Sequence, residues 1–415
     1  MNDFKVQDGE RDQMAQDDQD DSVMKADLPV DAPVKSETGG TEATETAAKK
    51  SAKKASRKKA AAKKASSKKA AAAPAEQAKP ADSGPAPADT GPVPASLQHM
   101  PVTLFGAGLG LAGFATAWRE IAAVFGWGIL LSKLLVGIAL GVFGILVILY
   151  GIKTLRHFPA VKAEFRHPVT SNFFSAATMT LMILASHLGQ AAPMLAEGIW
   201  VVAAVINVAI SVIIVTFWIG RDCHISHVAP VWFIPVVGNL VIPIVGAPMG
   251  YTQLGWMIFA IGLLFWLVLF TVILYRLIFE RPLENPQRPS LFILIAPPSL
   301  CFVSYVVLKG GLVDGVASMF LGVSIFMLLI LLPQIPALMR LPFGISWWSY
   351  TFPLAVFSVA CTLYADAINH AAASALSVAA IAGVSMITLL VSVQTIRFVM
   401  AGRILRPVET PLPKP

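Results

Sequence analysis

Between residues 101 and 398 the chain is a succession of ten apolar runs, each about long enough to cross a bilayer once. They lie near 101–118, 130–152, 169–188, 194–219, 229–247, 252–276, 290–308, 313–332, 344–365 and 374–398. Hydrocarbon offers the backbone no hydrogen-bonding partner, so a segment crossing it must satisfy its own amides and carbonyls, which these runs do as helices. Composition agrees: 55% of residues are hydrophobic and 14% charged, where an ordinary soluble domain carries about 25% charge. The expected fold class is an all-α polytopic membrane protein, with ten transmembrane helices over residues 99–400. A tail at 1–98 precedes them and a short tail at 401–415 follows.

Lys and Arg in short connections set the orientation. The connection after every second run, together with the C-terminus, holds Lys153, Arg156, Lys162, Arg166, Arg221, Arg276, Arg281, Arg288, Arg340, Arg397, Arg403, Arg406 and Lys414. The opposite side holds only Arg119, Lys133 and Lys309. Both termini are therefore expected in the cytoplasm, which requires an even number of crossings.

Prolines inside the runs are confined to odd-numbered ones: Pro235 and Pro243 in the fifth, Pro297 and Pro298 in the seventh, Pro353 in the ninth. The first run has Gly106, Gly108, Gly110 and Gly113 instead, and the third starts at Pro168 and opens with Asn172-Phe173-Phe174. A proline removes a backbone donor and bends a helix. In a membrane such interruptions belong where they line a cavity. The pattern implies five helical hairpins, each of one bent inner and one straight outer helix, around a central pore. A plainer reading is that Pro and Gly are commoner in membrane helices generally. In the ninth run, Thr351-Phe352-Pro353 sets a bulky ring beside the proline, so a kink holding Phe352 is expected.

Two motifs resemble a known family. The connection after the second run reads Phe158-Pro-Ala-Val-Lys-Ala-Glu-Phe-Arg-His-Pro-Val-Thr-Ser-Asn-Phe-Phe174, and the ninth run contains Trp348-Ser-Tyr-Thr-Phe-Pro353. Weaker matches are Leu104-Phe105-Gly106, Ile234-Pro235 and Ala296-Pro297. Together they resemble the tellurite-resistance/dicarboxylate transporters, which include the slow-type anion channels of plant guard cells. The resemblance covers about residues 100–400. It implies a homotrimer with one pore per subunit in the plasma membrane. It also implies passive or proton-linked movement of small inorganic or organic anions (chloride, nitrate, C4-dicarboxylate, sulfite or tellurite), with Phe352 as the aromatic that closes the pore. Phe105, Gly106, Asn172, Phe173, Pro235, Asn239, Pro297, Ser299, Thr351 and Pro353 are then candidates for pore lining or kinks. Glu164, His167 and Pro168 form the cytoplasmic loop motif.

The residue chemistry fits an anion path. Within the expected bounds the odd runs contain no Lys, Arg, Asp or Glu, and a deep charge well would trap a passing ion. Their polar groups are hydroxyls and amides: Thr103, Thr170, Ser171, Asn172, Ser175, Asn239, Ser299, Ser304, Ser349, Thr351 and Ser358. A proton-coupled pump calls for an intramembrane acid or histidine; His187, at the end of the third run, is the one candidate and reads better as an interfacial ring. Glu164 and His167 read as a loop anchor or cap rather than an active-site pair. Cys223, His224 and His227 lie together on one short connection, but no wider ligand set accompanies them, so no metal or other cofactor is expected. Cys223, Cys301 and Cys361 all read as small buried hydrophobes. No phosphate-binding loop, zinc-protease or nucleophile-elbow motif is present, so hydrolysis-driven transport is unsupported, and the scarcity of paired acids and histidines inside the membrane argues against an enzyme.

The tail divides by charge. Residues 1–46 are acidic, Lys49–Lys69 hold 11 Lys/Arg and no acid, and an Ala/Pro-rich stretch follows. Such segments bury too little apolar surface to offset chain entropy, so disorder is expected and no signal peptide is read there. The Lys block can attract anionic lipid or nucleic acid, or remain a solvated charge run. The leading expectation is a Phe-gated anion channel or transporter. A proton-coupled sulfite or dicarboxylate exporter is the alternative within transport. A membrane-anchored nucleic-acid or lipid-surface binder acting through the tail is the alternative outside it.

Overall fold

The structure, a computed structural model, describes residues 96–189, 191–220 and 223–405. Nearly all of the long tail, including Lys49–Lys69, lies outside the described residues, as do Arg221, Arg406 and Lys414. Among the described residues the regular structure is helical throughout. The α-helices are α1 Phe105–Phe125, α2 Ile129–Arg156, α3 Phe158–Arg166, α4 Phe174–Leu188, α5 Pro193–Gly220, α6 Phe233–Val237, α7 Val241–Gly246, α8 Thr252–Phe279, α9 Ala296–Leu308, α10 Gly315–Leu331, α11 Ile335–Leu338, α12 Thr351–Ile368 and α13 Ala371–Met400.

Among the described residues eight segments are long and apolar enough to cross a membrane, and nine if α3 and the segment 170–188, bent by 108° from each other, count as one. The first of the ten expected spans is not among them, because the glycines, Arg119 and Glu120 of α1 lower its hydropathy. The α1 helix nevertheless runs seven residues past the expected end at 118, to a stop at Gly126. Gly126 adopts φ 71°, a left-handed conformation that glycine takes without penalty, and its N–H closes on the Ala122 carbonyl.

Burial separates the segments into two classes. In an apolar 18-residue stretch of Pro230–Met249 and of Arg288–Leu308, 83% of residues are buried, and in that of Ile345–Ile368, 67%. In the corresponding stretch of α2 the share is 22%, and in those of α5, α8 and α13 it is 28%. The exposed class carries its leucines, isoleucines and valines outward, as a lipid-facing surface must. The buried elements touch in cyclic order: α1 on α4, α4 on α7, α7 on α9, α9 on α12, and α12 back on α1. Each also packs against the exposed helix that follows it in the chain.

Every buried segment opens with a 3₁₀ stretch: Val102–Leu104, Thr170–Phe173, Pro230–Trp232, Arg288–Ile295 and Ile345–Tyr350. This changes the meaning of the prolines. Pro235, Pro243, Pro298 and Pro353 each stand third in an α-helix. In the first turn the N–H has no intrahelical partner anyway, so proline is tolerated. The expected kink in the middle of the ninth span is therefore a junction between a 3₁₀ entry and an α-helix that starts at Thr351. At the other end of the chain's path the two termini of the described body meet, where the Ser96 N–H donates to the Leu405 carbonyl at 3.1 Å.

Candidate functional site

Two cavities lie within the ring, and each is lined from all five buried segments, the near one through α6 and the far one through α7. The near cavity, of about 50 Å³, takes Gly106, Phe173, Phe233, Pro297, Trp348 and Pro353, with Thr103 and Ser349 as its hydroxyl-bearing residues. The far cavity, of about 210 Å³, takes Gly113, Ile183, Val241, Val303 and Val356, and it ends at Thr116, Arg119 and Glu120. Two residues line both: Leu300 and Phe352. Phe352 is 8% exposed and Leu300 3%. Together they form a constriction between two chambers, and its walls are hydrocarbon.

Glycines on α1 make the constriction tight. A Cβ on Gly113 would stand 2.9 Å from Cδ2 of Phe352 and 3.3 Å from Cβ of Ala355. One turn earlier, a Cβ on Gly110 would overlap the Thr351 hydroxyl and lie 3.1 Å from the Trp348 ring. The glycine run of the first span thus serves close approach of α12 rather than a bend. Overpacking of a filled interface costs about 1–3 kcal/mol. Gly110→Ala is expected to lower the thermal unfolding midpoint of the purified protein, whereas an exposed-face control, Gly141→Ala, has open space and does not lower it.

Several candidate lining residues turn away from the cavities. Phe105 packs edge-on to Phe143 and Tyr150 of α2, with ring centroids 6.2 and 5.3 Å away. Asn172 donates to the Pro168 and Val169 carbonyls at 3.0 and 3.2 Å, closing its own 3₁₀ turn. Asn239 accepts from Asn207 of α5 at 2.7 Å and donates to Ser211 at 3.2 Å, while Ser211 also donates to the Pro235 carbonyl at 2.6 Å. The Ser299 hydroxyl donates to the Ile295 carbonyl at 2.8 Å and lies 3.1 Å from the Ser324 hydroxyl of α10, and Thr351 donates to the Trp348 carbonyl. A buried hydroxyl or amide needs a partner; for these groups it is a carbonyl one turn back or the outer helix, whereas Asn172 Oδ1 and the Ser175, Ser304 and Ser358 hydroxyls bond to none of the described residues. Gly106, Phe173, Pro297 and Pro353 do line the near cavity. The path is consequently more apolar than the hydroxyl content of the odd runs implied.

The loop motif is an anchor. Glu164 Oε2 pairs with Lys153 Nζ at 2.8 Å and accepts from Tyr150 Oη at 2.7 Å, while Oε1 accepts from the Val102 N–H at 3.3 Å. Lys153, fully buried, also donates to the Met100 carbonyl at 2.6 Å. One carboxylate therefore ties together α2, α3 and the entry to α1. His167 Nδ1 accepts from the Val169 and Thr170 amides, and burial, then the nearby His227, holds this ring below the usual histidine range. His224 and His227 are exposed, with rings 5.7 Å apart. The Tyr251 hydroxyl donates to Glu197 at 2.5 Å, and among the described residues no basic group lies within ion-pair distance of that carboxylate.

Sequence reasoning missed Leu300, one ordinary leucine among many. It also missed Arg119 and Glu120 as members of a buried helix, because the hydropathy of the first run ends at them. With this geometry in view, comparison with known proteins is decisive. The sequence pattern of the voltage-dependent anion channel family (SLAC1) matches residues 99–396, the whole helical body. The chain belongs to that family. Among its relatives is the S-type anion channel SLAH2 of Arabidopsis thaliana, 28% identical over 286 residues, covering 67% of this chain and 55% of that protein. The guard cell S-type anion channel SLAC1 of the same plant is 28% identical over 284 residues, 65% of this chain and 50% of its own length. The tellurite resistance protein TehA homolog of Haemophilus influenzae is 27% identical over 266 residues, 64% of this chain and 81% of that one. The chain thus spans about half the length of the plant members and most of the bacterial one.

Proposed function

We propose that this member of the family carries small anions through an axial pore, with Phe352 as the closing ring. In this reading ten crossings form five helical hairpins. The observation that carries it is the placement of Phe352 and Leu300 between two chambers enclosed by the same five buried segments. An apolar constriction excludes an ion because it cannot replace the hydration shell, and hydrophobic necks of this kind gate by dewetting. Among the described residues no titratable group lines the near cavity, and the titratable pair of the far cavity, Arg119 and Glu120, lies at its end rather than at the neck. Chloride, nitrate and C4-dicarboxylate are the anion classes, and a homotrimer in the plasma membrane is the assembly, that the family resemblance suggests. Anion efflux from proteoliposomes tests the reading: a channel dissipates a preset anion gradient, and a pH gradient does not drive accumulation. Uphill uptake driven by pH would favour the exporter alternative.

The crossing number and orientation have their own test. The hydrogen bond between Ser96 and Leu405 keeps both ends of the body on one face, as an even number of crossings requires. Cys301 and Cys361 are buried as expected, whereas Cys223 is exposed, because it lies on the short connection outside the apolar runs. A membrane-impermeant maleimide is expected to label Cys223 in inside-out vesicles and not in intact cells. Labelling in intact cells would reverse the proposed orientation.

A further inference from the structure

Beside the ring, at the far end, α1, α2 and α4 enclose a third cavity of about 530 Å³. Its walls are partly apolar, with Ala122, Ile129 and Val136, and its polar lining is Arg119, Ser132, Lys133, Ser186 and His187. The lining contains two cations and no carboxylate.

The hydrogen bonds fix the guanidinium at this cleft. Arg119 Nε and Nη2 donate to Glu120 Oε1 at 3.1 and 2.9 Å, and Nη1 donates to Ser186 Oγ at 3.3 Å and His187 Nδ1 at 3.4 Å. A guanidinium only donates, so His187 Nδ1 accepts and the ring proton sits on Nε2. That nitrogen faces Thr116 Oγ1 at 3.1 Å, and Thr116 in turn donates to the Ala112 carbonyl at 3.0 Å. Glu120 lines the far cavity of the ring and not this cleft, whereas Arg119 lines both. Ser132 is 6% exposed, and its hydroxyl bonds to none of the described residues. Lys133 is exposed and has no carboxylate within ion-pair distance among them.

We propose that this lateral cleft binds an oxyanion group, such as a sulfate or phosphate, through Lys133, Ser132 and Arg119. Arginine presents planar donors that suit such a group, and lysine adds a point charge. The group can belong to a free ion or to a lipid headgroup; the chemistry that recognises it is the same. Because Arg119 borders both cavities, an oxyanion there competes with Glu120 for the guanidinium at the end of the proposed pore. Only that consequence rests on the transport reading; the binding does not.

The test uses the purified full chain in detergent. Thermal unfolding is followed against sodium sulfate, with sodium chloride at equal ionic strength as control, and native mass spectrometry counts retained phosphatidylglycerol against phosphatidylcholine. Lys133→Gln and Arg119→Gln are each expected to weaken the bound species about tenfold or more, the loss of one charge-assisted contact. Lys309→Gln, outside the cleft, leaves it unchanged. Lys133 stands on the exposed surface, so its variant stays informative where Arg119→Gln disturbs folding. A sulfate response alone assigns a free ion and phosphatidylglycerol alone assigns a headgroup, and either sustains the site. Neither binding, or binding unaltered by Lys133→Gln, overturns it. Binding retained in a protein that passes no anion leaves the cleft standing and removes the pore.

Discussion

Proteoliposomes carrying Phe352→Ala are expected to release chloride or nitrate markedly faster than those carrying the native chain. The ring and Leu300 are the two side chains shared by the near and far cavities, so truncating the ring joins the chambers into one passage. Each ~1.4 kcal/mol removed from the barrier multiplies the rate tenfold, and a desolvating apolar neck contributes more than that, so an increase of about tenfold or more is the expected result. Phe352→Leu should fall between the two. Leu300→Ala should act in the same direction with a smaller effect, since less of the neck is removed. Truncating a buried Phe costs about 3–5 kcal/mol of stability, so each variant is compared after its thermal midpoint and Cys223 labelling show it to be folded. A folded Phe352→Ala protein with native flux would take the gate away from this residue.

The second large effect concerns stability. Glu164→Gln is expected to lower the unfolding midpoint by an amount matching about 3–5 kcal/mol, the usual result of removing one partner from a buried ion pair. Lys153 is fully buried and Glu164 is its carboxylate partner at 2.8 Å. A glutamine at 164 can still accept from the Val102 amide, but its NH2 then replaces the oxygen that accepts from Tyr150 and pairs with Lys153, so the charge and one hydrogen bond are lost together. Adding Lys153→Met removes the stranded ammonium and should restore much of the midpoint. Such recovery separates a charge effect from general damage to the α2–α3 junction. A midpoint unchanged by Glu164→Gln would show that Lys153 reaches another anion or solvent.

The span pattern was legible because hydropathy is a property of sequence alone. The third span, expected at 169–188, forms from 170 to 188, and the outer helices run within a few residues of the expected bounds. Azimuth was not legible. A 3₁₀ entry turns by three residues and an α-helix by 3.6, so each buried segment changes phase at a junction that hydropathy does not mark. Hence Phe352 and Pro353 face the axis while Thr351 meets Gly110, and Pro297 lines the near cavity while Ser299 faces α10. Asn239 illustrates a second cause: polar residues in a membrane helix suggest a wet path, yet the pull of a buried partner on α5 decides where this one points. Arg119 illustrates a third, since a charge ends a hydropathy window without ending the helix. The loop motif was visible as a run of residues, but that its glutamate meets Lys153 required the fold.

Current through a planar bilayer under a salt gradient is the most direct measurement of the central claim, an anion path through the ring of buried helices past Phe352. With Phe352→Ala and tenfold different potassium chloride on the two sides, the account predicts a current that reverses near the chloride equilibrium potential, and much less current for the native chain. Reversal near the potassium potential, or equal silence from both proteins, would contradict it.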